Sequence, residues 1–295
     1  MAINTIITPK KDVVFKRIFG TKGNEEILRD FLEAILETEI KALSLDLATE
    51  LLPNYRDGKE TRIDVRTELN DGTQVNVEMQ ADSSGYSEKR CLEYWSRLYS
   101  NAIEKNEKYE SLKKTICIWI IDGFVYNEIN KYHTTWKIKE TELGIVGHFD
   151  DLEFHIIELS KFRKLDIMKP SKKEFWLWFI DYTRKEMVKM ACENNKRVAE
   201  ARETLDKIHA DKELMDLIRR QEMFERDQIS ALSRSREEGE KIGMAKGEKL
   251  GIEKGEKLGL TKGKKEIAKK LKLTDMPISQ IAEITELTEK EIEEL

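Results

Sequence analysis

Apolar and polar positions alternate along two arms on either side of residue 71. One arm carries Ile63, Val65 and Leu69, and the other carries Val75, Val77 and Met79. Between them stand Asp64, Arg66 and Glu68, then Gln74, Asn76, Glu78 and Gln80. A period of two predicts a pair of half-buried strands closed as a hairpin. A two-residue loop of Asp71 and Gly72 would set Asp64 opposite Met79 and send the two apolar sets to opposite faces. A three-residue loop, Asn70-Asp71-Gly72, removes that conflict and gives Gly72 the left-handed position that a type I turn with a bulge requires. In this register Leu69 faces Thr73, Asp64 faces Glu78, and Arg62 faces Gln80.

The pattern elsewhere is mostly helical or fully buried. Residues 10–36 place Val13, Val14, Phe15, Ile18 and Phe19 at helical spacing. After a Gly-Asn loop, Ile27, Leu28, Phe31, Leu32, Ile35 and Leu36 follow in the same way. Residues 41–49 alternate as a strand would. Residues 87–105 read as an amphipathic helix with Leu92, Trp95, Leu98, Tyr99 and Ile103 inward. "TICIWII" at 115–121 is a continuous apolar run, the mark of a central strand buried on both faces. Further strands are predicted near 132–139 and 153–159. The order of elements implies an α/β core with a mixed sheet. After Pro170 the texture turns charge-rich and helical, with Trp176, Trp178 and Phe179 read as core.

The hairpin register raises a physical question. Opposed β-carbons lie about 4.5–5.5 Å apart, and like charges there destabilise a sheet. Two readings of Asp64 and Glu78 stay open from the hairpin alone. In one, the acids lie on a solvated face screened by Arg62 and Arg66. In the other, they hold a hard divalent cation such as magnesium, which takes oxygen ligands and is bound by one or two carboxylates plus substrate phosphates.

Composition narrows the class. Charged residues make up 37% of the 295, and the net charge is −5, so nucleic-acid binding would have to come from a local patch. The three cysteines, Cys91, Cys117 and Cys192, form no C-x-x-C or Cys/His cluster. Neither a zinc site nor a disulfide framework is indicated, and reduced thiols fit a cytosolic protein. The first twenty residues lack a signal-peptide core, and no stretch reaches the length of a membrane span. The expectation is a cytoplasmic protein with no membrane partner.

Residues 239–263 place seven of the fifteen glycines at strict four-residue spacing, in the units "GEKIGMAK", "GEKLGIEK" and "GEKLGLTK". Each interior helical glycine costs up to about 1 kcal/mol against alanine. On a helix of 3.6 residues per turn such a ladder drifts about 40° per step. The segment reads either as a flexible, partly helical linker or as a self-association element. Beyond it, "EIAKKLKLTDMPISQIAEITELTEKEIEEL" predicts three short helices with caps at Thr274, Ser279 and Thr288, the last with Glu291 at capping-box spacing. Residues 278–295 have a helix-turn-helix rhythm but six glutamates and one lysine. Phosphate would repel them, which favours a protein-contact module.

In order along the chain, "KKDVVFKRIFG", "IDV", "DGTQVNVEMQ", "RCLEYWSRLYS" and "FHIIELSKF" resemble the recombination-promoting nuclease and transposase family of the PD-(D/E)xK nuclease superfamily. The resemblance covers roughly residues 8–165, and the glycine repeat with its helical tail is also similar to members of that family. It implies an α/β restriction-endonuclease-like core with a mixed central sheet, followed by a helical C-terminal extension. The expected divisions are a nuclease-like core at 1–165, a helical extension at 166–235, the glycine repeat at 236–265 and a helical tail at 266–295.

The resemblance also implies a metal-dependent DNA endonuclease associated with recombination or mobile elements. Asp64 matches the family's metal-binding aspartate and Glu78 the acid of its E-x-K element. Asp12 matches the acid of an N-terminal K-x-D motif. Gln80 stands where the superfamily has lysine. Glutamine orients a water but supplies no charge, so Arg62, Lys11 and Arg90 are candidates for the missing cation. On this reading magnesium, or manganese, is held by Asp64, Glu78 and the carbonyl of Met79. Lys11, Arg62, Arg90, Tyr94 and Tyr99 are the expected DNA contacts. The competing expectation is a catalytically silent DNA-binding or assembly protein that retains the fold. On either expectation the partners are DNA and a second copy of the chain, met through the helical C-terminal region.

Overall fold

The computed structural model describes residues 7–45, 65–84, 86–103 and 106–295, with the backbone alone at positions 221, 222, 225, 226, 228, 229 and 232. The chain divides into two compact units, one reaching Ile218 and the other running from Arg219 to Leu295.

In the first unit α1 (Asp12–Phe19) begins on an acid, which suits the positive end of the helix dipole, and buries Val14, Phe15, Ile18 and Phe19. α2 (Glu25–Leu36) follows after a short loop. The Asn24 amide in that loop donates to the carbonyls of Arg17 and Ile18, closing the exposed end of α1. Strands β1 (Leu43–Leu45), β2 (Val65–Leu69) and β3 (Gln74–Gln80) come next, then α3 (Glu88–Asn101), β4 (Thr115–Ile121), β5 (His133–Lys137) and β6 (Leu152–Glu158). Helices α4 (Leu159–Phe162), α5 (Lys172–Asp181), α6 (Lys185–Asn194) and α7 (Lys196–Ala210) complete this unit apart from the start of α8 (Lys212–Lys272).

Among the described residues the sheet has six strands in the order β1-β2-β3-β4-β6-β5. Its centre, β3-β4-β6, is parallel, and its flanks are antiparallel. The hairpin has the predicted register: Val65 faces Val77, Thr67 faces Val75 and Glu68 faces Gln74. Gly72 has φ of 84°, and the Leu69 and Thr73 backbones pair across the three-residue loop at 2.9 Å. Residues 61–64 lie outside the described residues, and so do 46–49 of the expected strand at 41–49, of which β1 is the described part.

Val75, Val77 and Met79 join Ile116, Ile118 and Ile120 of β4 in one large core with α1, α2, α5, α6 and α7. On the other face Cys91, Tyr94 and Leu98 of α3 pack on Cys117, Trp119 and Ile121 of β4 and Phe154 and Ile156 of β6. Two expectations change here. β3 is buried on both faces: its polar row, Asn76 and Glu78, is as closed to solvent as Val75 and Val77, on the side where α3 packs over the neighbouring β4. The inward edge of α3 is also rotated: Leu92 is 49% exposed, while Cys91 and Tyr94 face Trp119. The helix turns the residues that fit the large indole toward the sheet. Trp176, Trp178 and Phe179 are buried as expected. None of the three cysteines is in a disulfide.

In the second unit all seven ladder glycines lie within the single helix α8, and among the described residues nothing outside the helix's own backbone stands within 4 Å of where a β-carbon would be placed on any of them. The end of α8 packs with α9 (Ile278–Thr285) and α10 (Glu289–Glu293) around Ala268, Ile281, Leu287 and Ile292. Thr288 and Glu291 make the expected capping box. The expected caps at Thr274 and Ser279 are corrected. Pro277 takes the cap position of α9, its fixed φ entering the helix without a side-chain bond. The Thr274 hydroxyl instead donates to the carbonyl of Leu271 at the end of α8. Among the described residues no helix is long and apolar enough to cross a membrane.

Candidate active site

Glu78 is the penultimate-but-one residue of β3, flanked in the sheet by β4, where it pairs with Trp119. It is only 1% exposed. The alternation of β3 sends Val77 and Met79 into the helical core and Glu78 toward the face that carries α3. Its Oε1 accepts from the Asn76 amide at 3.2 Å. The other end of that amide, Asn76 Oδ1, is buried and meets no hydrogen-bond partner among the described residues. The neighbouring Cys117 thiol is pushed well up, first by burial and then by the negative charge of Glu78.

Gln80 closes β3 at the surface. Its Oε1 accepts from Arg90 Nη1 at 3.5 Å, and its carbonyl accepts from the backbone N–H of Asp122 at 2.9 Å. Arg90 enters the first turn of α3, where the Ser87 hydroxyl caps its N–H at 3.2 Å. Its guanidinium donates to the Tyr94 hydroxyl at 2.9 and 3.2 Å and lies 5.1 and 5.5 Å from the ring centres of Tyr94 and Trp119. A planar cation held by two rings and a hydroxyl has little freedom left to lose on binding an anion.

The remaining expected residues are placed as follows. Asp12 opens α1, which packs against β3, and its carboxylate meets Lys16 at 3.1 Å. Lys11 is the half-buried N-cap residue of α1. Met79 is 4% exposed with its side chain in the helical core. Tyr94 is buried against Trp119 and reaches the site through Arg90. Tyr99 is not brought to it. Tyr99 stacks on Trp95 and donates to Asp151 at 2.6 Å, where β6 begins, at the opposite end of the parallel strands from Gln80. That bond pushes the Tyr99 hydroxyl up to about 12. Asp64 and Arg62 lie outside the described residues.

Residues that the hairpin pattern did not reveal cluster at the carboxyl ends of β3, β4 and β6. Asp122, directly after β4, meets Lys10 at 2.7 Å and also pairs with Arg163. Asp181, at the end of α5, meets Arg163 at 2.7 Å and Lys10 at 3.6 Å. Burial is the largest influence on the Lys10 amine and holds it below the usual lysine range. Glu158 is fully buried, accepts from the Val125 N–H at 2.6 Å and pairs with Lys161. The available signal was an acid ending an apolar parallel strand, because ligands of open α/β sheets gather beyond the strands' carboxyl ends.

Among the described residues no group of three or more His, Cys, Asp or Glu side chains stands together as a metal cage. The donors at the end of β3 are nonetheless of one kind. Glu78, Gln80 and the buried Asn76 Oδ1 offer hard oxygens, which suit magnesium or manganese and not zinc or copper.

A family model described as PD-(D/E)XK nuclease family transposase matches residues 9–235. The match takes in every element from α1 to α7 and the first part of α8. No curated protein and no solved structure matches the chain.

Proposed function

We propose, for a chain that belongs to the PD-(D/E)XK nuclease family transposases, that it is a divalent-metal-dependent endonuclease hydrolysing DNA phosphodiester bonds in recombination or mobile-element biology. The observation that carries this reading is Glu78: a carboxylate 1% exposed on a central strand, two residues from a glutamine held by a fixed arginine. A carboxylate on a strand end beside other oxygen groups is the ligand type that a hard divalent cation takes.

In this reading Asp64, Glu78 and the Met79 carbonyl would hold the ion, magnesium first and manganese as a substitute, with Asp12 completing the site from α1. When bound, such an ion supplies Lewis-acid polarisation of the phosphate and a water of lowered pKa. Gln80 orients the attacking water through its amide. Arg90 supplies the positive charge that lysine gives elsewhere in the superfamily. Its contact with Gln80 at 3.5 Å supports it for this role. Arg90→Ala is expected to lower the cleavage rate by about 100-fold, the scale for losing one preorganised charge donor. Arg90→Lys should recover part of it. Single-turnover cleavage of a plasmid checks this, and an unchanged rate for Arg90→Ala would remove Arg90 from the role.

The second reading, a catalytically silent DNA-binding or assembly protein, is favoured by the six glutamates of residues 278–295 in a unit that packs its own core. Self-association belongs to either reading. Among the described residues nothing outside the helix's own backbone stands within 4 Å of a β-carbon placed on any ladder glycine, so this face of α8 leaves room for a second copy. Light scattering on the full chain should give a mass above that of one copy, and a chain ending near residue 235 should give a monomer. Equal copy numbers would clear the ladder of that role.

A further inference from the structure

Four charged side chains from four separate segments close a ring at the end of β3. Lys10 precedes α1, Asp122 follows β4, Arg163 follows α4, and Asp181 ends α5. Each cation meets both acids: Lys10 at 2.7 Å from Asp122 and 3.6 Å from Asp181, and Arg163 at 2.7 Å from Asp181 and in contact with Asp122. The side chains are 17%, 18%, 29% and 4% exposed in chain order. The Thr183 hydroxyl satisfies the second oxygen of Asp181.

We infer that this ring is a positioning clamp for the reaction site, with Lys10 and Asp122 as its working pair. The inference rests on the nuclease reading above, and it concerns which residues set the spacing of that site. Two of the four segments are tied directly to candidate site residues. Lys10 stands two residues before Asp12, and the Asp122 N–H donates to the Gln80 carbonyl at 2.9 Å. One residue therefore grips the backbone of the E-x-Q strand with its amide and the root of α1 with its carboxylate. Asp12 and Gln80 are separated by 68 positions in sequence, and the Lys10–Asp122 bond is a short connection between their two segments.

The argument for positioning over mere stability is energetic. Apolar residues of similar volume replace a buried ion pair at little cost or with a gain in stability, so stability alone does not call for such a ring. What alternating charges do provide is a fixed geometry, because each side chain is tethered to two partners on separate segments. Reaction sites need that precision, since a misplacement of about 1 Å costs on the order of 100-fold in rate.

The test uses the full-length protein and four variants: Asp122→Asn, Lys10→Met, the conservative Asp122→Glu, and Asp30→Asn as comparator. Asp30 accepts from Trp176 and Asn195 in the helical layer and touches none of the ring. Two quantities are measured: amide hydrogen exchange at Phe15 and residue 122, and Mn²⁺ affinity by electron paramagnetic resonance. Asp122→Asn and Lys10→Met should each speed exchange at both amides by at least about 10-fold and weaken Mn²⁺ binding by about 10-fold, the scale of outer-shell effects on metal sites. Asp122→Glu should recover most of both, and Asp30→Asn should alter neither. Wild-type exchange in the first two variants, or an equal loss of Mn²⁺ affinity in Asp30→Asn, overturns the clamp. Absence of Mn²⁺ binding by the wild type would sink the metal reading itself. The exchange rates and the Asp122→Glu recovery would then decide the clamp alone.

Discussion

Glu78→Gln and Asp64→Ala are each expected to lower magnesium-dependent plasmid cleavage by at least about 100-fold, the scale on which loss of a single electrostatic catalytic group is felt. Glu78→Gln is the sharper of the two. Glutamine keeps the volume of a side chain that is 1% exposed and can still accept from Asn76 at the 3.2 Å contact. It removes the charge that would bind a cation. Circular dichroism should show the fold retained, so that lost cleavage reports on chemistry. Full cutting by both variants would remove these acids from the reaction. No cutting by folded wild-type protein, in magnesium and in manganese, would move the protein to the silent binding or assembly role.

Trp176→Ala should destabilise the first unit by about 3–5 kcal/mol, the usual cost of truncating a buried tryptophan. Trp176 is fully buried, with ring centres of Phe19, Phe31 and Phe179 at 5.5, 5.8 and 6.0 Å. Its indole N–H donates to Asp30 on α2 at 2.8 Å, so the variant loses that bond as well as leaving a cavity. For a unit of this size the melting temperature should fall by roughly 6–20 °C, at about 2–4 °C per kcal/mol. Thermal unfolding of the full chain checks this. A fall of less than about 2 °C would mean that α5 adds little to the core it shares with α1 and α2.

The two effects probe different layers of one design. α1 contributes Phe19 to the helical core and presents Asp12 at its first turn. β3 sends Val77 and Met79 into that core and Glu78 to the opposite face. The acid's position is thus set by the same alternation that builds the apolar interior, so a change in core packing is transmitted to the spacing of the site.

Local chemistry determined a good deal by itself. The Asn70-Asp71-Gly72 loop and the period-two pattern specified the hairpin register, because a slip of one residue would reverse every side chain. The unbroken apolar run at 115–121 specified a strand covered on both faces, and Thr288 with Glu291 specified a helix start. Those signals depend on residues a few positions apart. Tertiary structure alone decided what α3 covers. Alternation on β3 says that its two faces differ, and it cannot say that a helix with Tyr94 and Cys91 inward will pack over the neighbouring β4 on the polar side. It also decided that Arg90 reaches Gln80 and that Lys10 reaches Asp122 across 112 residues. Such contacts arise when separate elements pack on a shared core, and no periodicity within either segment records its partner.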